Sequence, residues 1–353
     1  MKKHYFLAAT AALALWSCTS NEVDNLPAAL EESNAIGFGT FLPRIPQGYG
    51  AAAPKASNLT ATLLQTNGGF KAFAYYTASS AWSSGSLSTA PDFMDADVTW
   101  ATSSWTYSPI KYWPKLGSND WGKVSFFGFS KAGGAAASYA AGAVPTITFT
   151  TQESASAQVD LVADTAYDRT GGDNGGMVKF NFAHILSMVG FSAKLQADYA
   201  DATVKVKSLK LYYKVGTVKK AGTYTFPTRS TPGGWVPAEP YFAHNAAGDQ
   251  LFSGEATLST APSNLCGTDK YLMLIPQEIT TAGDMYVELE YSVTTATPDL
   301  TVTNTATINL PATPFGLGKA YTFIFSLTLN PVVFDTNIEV GPWGVKDDII
   351  PIP

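Results

Sequence analysis

Apolar residues return at every second position along much of this chain, and that period constrains its fold more than any other feature. Val178, Phe180 and Phe182 alternate with Lys179 and Asn181, and Leu209, Leu211, Tyr213 and Val215 repeat the pattern. So do Met285, Val287, Leu289, Tyr291 and Val293, and then Tyr321, Phe323, Phe325, Leu327 and Leu329. Successive side chains of a β-strand point to opposite faces, so each run predicts a strand with one face in a core and the other in water. Breaker clusters separate the runs: Ser83-Ser84-Gly85-Ser86, the Gly-rich 171–176 stretch, and Thr231-Pro232-Gly233-Gly234. No helical period lasts beyond two or three turns. The alanine-rich 132–143 segment is interrupted by Gly133, Gly134 and Gly142 and reads as a loop. Many short strands joined by Gly/Pro turns specify an all-β chain of packed sheets. With 353 residues there is room for two domains. The Gly-rich stretch is the best boundary, giving 35–172 and 177–353, each long enough for a sandwich of about seven strands.

The N-terminus carries a different signal. Lys2 and Lys3 precede an apolar run from Tyr5 to Trp16, the layout of a secretory signal peptide over residues 1–17 and too short for a mature transmembrane helix. Leu15-Trp16-Ser17-Cys18 resembles the lipobox of bacterial lipoproteins, in which Cys18 carries the lipid and becomes the mature N-terminus. An ordinary signal peptide followed by an incidental cysteine is the alternative. Residues 18–34 are polar and acidic and read as a tether from lipid to fold. The expectation is an exported, surface-anchored protein of the outer membrane.

Removing 1–17 takes Lys2 and Lys3 and no acid, leaving 20 basic against 28 acidic side chains, a balance of −8. Such a chain has no electrostatic route to nucleic acid or to anionic lipid. With Cys18 lipidated, Cys266 is the remaining thiol, so no intramolecular disulfide can form, and its uncharged neighbours predict a buried structural cysteine. Stability rests on core burial, and 46% apolar with 13% aromatic and 14% charged residues is the composition of a well-packed extracellular β protein.

The chemistry-bearing residues exclude more than they suggest. His184, within Phe182-Ala183-His184-Ile185-Leu186, predicts a packed or capping histidine, and His244 a loop residue; neither has metal-ligand spacing around it. There is no nucleophile elbow, phosphate loop or dinucleotide fingerprint, so no enzyme, cofactor or metal is expected. Asp168, Asp173 and Asn174 lack the ordered spacing of a calcium loop and read as solvated turn residues. The aromatics Trp100, Trp105, Tyr107, Tyr112, Trp113, Trp121, Phe126, Phe127 and Phe129 admit two readings. One is a stacking platform for a glycan. The favoured one is core, since Trp105/Tyr107 sit at strand spacing.

Three segments taken in order carry a resemblance. Trp105-Thr106-Tyr107-Ser108-Pro109-Ile110-Lys111-Tyr112-Trp113-Pro114 is followed by Lys123-Val124-Ser125-Phe126-Phe127-Gly128-Phe129. Lys179-Phe180-Asn181-Phe182-Ala183-His184 runs into an apolar stretch. Leu274-Ile275-Pro276-Gln277 is followed by Gly318-Lys319-Ala320-Tyr321-Thr322-Phe323 and Val340-Gly341-Pro342-Trp343. From about residue 35 onward the chain resembles the fimbrillin-like family, the lipoprotein-derived subunits of type V pili. The resemblance implies two tandem transthyretin-like β-sandwich domains and an assembly route. A lipidated precursor reaches the surface, a trypsin-like protease cuts after a basic residue near the N-terminus, and the first strand leaves. A strand from a neighbouring pilus subunit then fills the groove.

Against that route, 34–42 is the candidate removable strand, with Ile36, Phe38, Thr40 and Leu42 on one face. Two residues are candidates for the cut: Arg44, directly behind the strand, and Lys55, where the family usually has a basic residue followed by a small one. The candidate donor strand is the C-terminal tail, through Ile338, Val340, Trp343, Val345, Ile349 and Ile350, with Gly341-Pro342 breaking the alternation. A tail folded back on its own domain is the competing reading. The alternative function is an adhesive tip or accessory subunit, or a glycan-binding surface lipoprotein facing a host ligand.

Overall fold

The computed structural model describes residues 34–42, 59–118, 120–131, 133–266, 271–329, 335–343 and 350–351. Among these the chain is built almost entirely of strands, as the period-two pattern predicts. The one α-helix among the described residues, Ala61–Thr66, is started by Thr60, whose hydroxyl accepts the Leu63 N–H at 3.2 Å.

The first layer is a six-stranded sheet ordered Ala183–His184, Val162–Arg169, Lys123–Ser130, Phe70–Ala78, Met94–Ala101 and Ser104–Thr106. Both of its faces are buried. Phe70, Val98 and Phe126 join one core cluster with Trp105, Tyr107, Trp113, Phe180 and Phe182. Phe73, Phe127 and Phe129 join another, continuous with Ile147, Phe191, Leu289 and Phe323. The central Lys123–Ser130 strand has no face in water. Its run Val-Ser-Phe-Phe-Gly-Phe-Ser alternates between two cores, the behaviour expected of a near-continuous apolar strand.

Three further sheets of four to six strands and two two-stranded pairs make up the rest of the described strands. Ser187–Leu195 lies parallel to Lys319–Leu327, with Ser263–Asn264 and Leu272–Leu274 on its other side. A four-stranded sheet runs Asp249–Thr257, Ala202–Tyr213, Met285–Ala296, Asp299–Asn309. Another runs Gly234–Tyr241, Lys219–Thr225, Thr146–Thr150, Ala136–Ser138, so part of the alanine-rich segment is a short strand rather than loop.

Among the described residues three pairings cross the expected 172/177 division, one of them Ala183–His184 against Val162–Arg169 in the first sheet. Met177–Asn181 lies beside Gly37–Phe41, and Thr146–Thr150 pairs with Lys219–Thr225. The Gly-rich stretch between them packs closely against two rings. A Cβ on Gly171 would stand 2.6 Å from the Trp121 ring, and Gly176, at φ +83°, accepts the Trp113 indole N–H on its carbonyl at 2.8 Å. Cys266 is buried, as its neighbours predict, and accepts the Phe191 N–H at 3.1 Å.

Candidate functional site

Gly37–Phe41 pairs in parallel with Met177–Asn181, Gly37 opposite Met177 and Phe41 opposite Asn181. The residues just before it are flanked on the other side by the 111–113 segment. Ile36 N–H donates to Lys111 O at 2.9 Å, Trp113 N–H to Asn34 O at 2.7 Å, and Ala35 bridges Tyr112. The strand ends where Phe182 N–H donates to Phe41 O at 2.9 Å. The 34–42 segment is thus held through 34–36 by the 111–113 segment and through 37–41 by Met177–Asn181, which together define a slot.

Side chains fill the slot on the alternation expected. Ile36, Phe38 and Leu42 are 2%, 5% and 5% exposed, while Thr40 is half-buried and accepts the Trp105 indole N–H at 3.2 Å. Phe38 sits edge-on to Phe70 (5.7 Å between centroids), Tyr107 (5.3 Å) and Phe126 (6.1 Å), and stacks on Phe180 at 6.0 Å. The Tyr107 hydroxyl donates to Ile36 O at 2.9 Å, and burial pushes its pKa up to about 12, so it remains a donor at neutral pH. Three buried apolar side chains contribute about 1.5–3 kcal/mol each, so the strand holds its sheet by its interior face more than by its ladder.

The tail occupies a different seat. Asp335–Pro342 runs antiparallel to Lys319–Leu327, from Lys319 opposite Pro342 to Ser326 opposite Asp335 with no register shift. Ile338 and Val340 are half-buried against the larger core, and Val340 is opposite Ile350 in the short Ile350–Pro351 strand. Beyond the break at Gly341-Pro342, Trp343 N–H donates to Gly318 O at 2.9 Å and the indole is 5% exposed. In this structure the tail therefore lies on its own chain.

Trp343 covers a buried polar pair. Its ring stacks on His184 at 4.1 Å between centroids and 5° between planes. His184 Nδ1 lies 2.6 Å from Asp160 Oδ2, and the same oxygen accepts the Leu59 N–H at 3.0 Å. Leu59 is the first described residue after the 43–58 segment that holds Arg44 and Lys55. The start of the chain behind both candidate cuts and the end of the tail thus meet on one Asp–His pair.

Of the residues expected to act, Ile36, Phe38, Thr40 and Leu42 come together in the slot, and Ile338, Val340 and Trp343 in the tail seat. Cys18, Arg44, Lys55, Val345 and Ile349 lie outside the described residues. The sequence reading missed Asp160, for which no local pattern exists, and did not separate Tyr107 from its aromatic neighbours as a strand-holding hydroxyl. Most of those aromatics are interior: Trp105, Tyr107, Trp113, Phe126, Phe127 and Phe129 are buried, whereas Tyr112 is exposed. A glycan platform built on Trp113 is incompatible with that burial. Asp168 accepts the Trp82 N–H at 2.8 Å and pairs with Arg229, and Asp173 caps the Thr170 N–H at 2.7 Å, so both carboxylates serve local turns and strand ends.

A family profile described as fimbrillin-like matches residues 52–343. The fimbrium subunit Fim1C of Phocaeicola vulgatus is 24% identical over 391 residues, covering 99% of this chain and 98% of its own. The crystal structure of a fimbrial protein from Bacteroides vulgatus superposes with a TM-score of 0.69 at 23% identity, over 88% of this chain and 99% of that one.

Proposed function

The chain belongs to the fimbrillin-like family, and from that premise we propose that it is a structural, non-enzymatic subunit of a cell-surface pilus that is stored closed and assembled by strand exchange. In this reading residues 1–17 direct export, Cys18 takes the lipid at the outer membrane, and 18–34 is the tether. A trypsin-like protease cuts behind the first strand, at Arg44 or Lys55. Two tandem sandwich units follow, divided at the Gly-rich 171–176 stretch, with 177–182 contributing to the first core.

The observation that carries the proposal is the filled slot of 36–42, joined to the body only through 43–58. While that connection is intact, the strand competes at an effective concentration of order millimolar, and a second chain is excluded. Cutting it leaves the strand held by about three apolar side chains and its ladder, and an exchangeable neighbour strand can replace it. The vacated slot would be an apolar sheet edge of the kind folded proteins protect.

The test is limited trypsin digestion of the uncut chain, followed by N-terminal sequencing and a native gel. The expected result is a start at Ile45 or Ala56 and a ladder of high-mass species, with no ladder when 335–353 are deleted. A chain that stays monomeric after complete cleavage overturns the proposal.

A second reading is a tip or accessory subunit, which accepts a strand and donates none. The tail's seat favours it, because Trp343 is buried and the register to Lys319–Leu327 is unbroken. Mixing cut, tail-deleted chain with intact chain separates the two. A stalk subunit donates its tail to the deleted copy, and a tip subunit does not.

A further inference from the structure

Every sheet in this chain has edges, and nearly all are blunted among the described residues. Ser104–Thr106, Ala136–Ser138, Ala183–His184 and Ser263–Asn264 are two or three residues long. Gly234–Tyr241 carries Pro237 and Pro240, which have no N–H to offer. Asp249–Thr257 is kinked by two register shifts against Ala202–Tyr213 and carries Glu255 in ion pairs with Lys205 and Lys207. Short edges, prolines, bulges and charges are the devices by which sheets avoid pairing with other chains.

Asp299–Asn309 has none of them beyond the Asp299 at its start. It is an outer strand of eleven residues, paired with Met285–Ala296 from Ala296 opposite Asp299 to Tyr286 opposite Asn309 without a register shift. No charge and no proline occur from Leu300 to Asn309, and Thr holds alternate positions from 301 to 307. Its first half projects past the core. Leu300 and Val302 lie on the same side as buried Ile308 yet are 55% and 46% exposed, and Thr301, Thr303 and Thr305 on the other side are exposed too.

We propose that Asp299–Asn309 is an edge-to-edge docking strand for a second copy of this chain, joining antiparallel about a two-fold axis at Asn304. An uncharged edge can meet itself without opposing like charges, which the Glu255 edge cannot. The axis sets Leu300 opposite Ile308, Val302 opposite Ala306 and Thr303 opposite Thr305. The two exposed aliphatic residues thereby gain apolar neighbours, and threonines face threonines. The two four-stranded sheets become one. This contact uses neither the first-strand slot nor the tail seat, so it stands apart from the strand-exchange proposal and requires no proteolysis.

The test is sedimentation of the uncut chain over a concentration series. A concentration-dependent dimer is expected. The exposed double substitution Thr303→Lys/Thr305→Lys, which sets lysine against lysine across the axis, weakens it at least tenfold. Mixing that variant with Thr303→Glu/Thr305→Glu restores a dimer that neither forms alone. Under mild oxidation Asn304→Cys, its own partner on the axis, gives disulfide-linked dimers faster than Thr301→Cys, whose partner is 307. A wild-type chain that is monomeric at all concentrations overturns the proposal. So does a lysine variant that associates like wild type, or a dimer that appears only after cleavage.

Discussion

The first strand and the tail strand are both terminal β-segments laid on a larger body, yet they are held by opposite means. Gly37–Phe41 pairs with Met177–Asn181 and drives Phe38 into a cage of four aromatic rings. Asp335–Pro342 lies outermost but for Ile350–Pro351, and its side chains at 338 and 340 are half-buried. The first is retained by apolar burial, which one swap of side chains cannot easily reproduce. The second is retained by a ladder of backbone hydrogen bonds, which any extended strand can supply. A segment of the first kind suits a lock, and one of the second kind suits an exchangeable arm.

The largest effect that would break this contrast is at Phe38. Phe38→Ala leaves a cavity between Phe70, Tyr107, Phe126 and Phe180 and should cost about 3–5 kcal/mol in urea denaturation. Val340→Ala, which removes two half-buried methyl groups from the tail, should cost about 1 kcal/mol. Equal losses at the two positions would mean that the tail is as firmly packed as the first strand, and the proposed division of roles would go.

Asp160 tests whether the two ends communicate. Asp160→Ala removes the acceptor shared by Leu59 N–H and His184 Nδ1, at about 1–3 kcal/mol per orphaned buried donor. Hydrogen exchange should speed up both at Leu59 and across Asp335–Trp343, because the ring under Trp343 loses its anchor. Faster exchange at one end alone would make the Asp–His pair a local packing feature.

How far these two regions could be read from sequence differs for the same physical reason. The slot was legible because Ile36, Phe38, Thr40 and Leu42 keep period two, and its wall, Phe180 and Phe182, keeps it too. The tail seat was not, since Gly341-Pro342 interrupts the pattern and Trp343 acts through a ring stack with a residue far away in the chain. Asp160 was invisible because a lone carboxylate between Val159 and Leu161 gains meaning only from partners at 59 and 184. Glycines that let backbone approach Trp121 and Trp113 have the same composition as glycines in a linker, so nothing in the sequence signals that Met177–Asn181 pairs with Gly37–Phe41.

A smaller step isolates the ladder from the side chains of the first strand. Tyr107→Phe keeps the ring against Phe38 and deletes only the hydroxyl that donates to Ile36 O. The expected loss is about 0.5–1.5 kcal/mol, with faster release of the cut strand in a dissociation assay. An unchanged release rate would put the whole retention in apolar contact.

The last effect is a pH dependence beside the first strand's neighbour. Asp164 accepts the Asn181 N–H at 2.6 Å, at the end of the strand that pairs with Gly37–Phe41, and burial raises its pKa from 3.8 to about 6. The fold therefore prefers the protonated acid. Its contribution is fully present below about pH 4, is lost as the pH rises toward 6, and changes little above that. Asp164→Asn mimics the neutral form and should remove this slope, so the difference in urea midpoint between variant and wild type should widen from pH 4 to pH 7. The sign matters for the comparison. A weaker neighbour strand at neutral pH loosens the slot and leaves the tail seat untouched, so cut-strand release should quicken with pH while tail exchange stays level. A midpoint difference that is constant across that range would remove Asp164 from any part in holding the first strand.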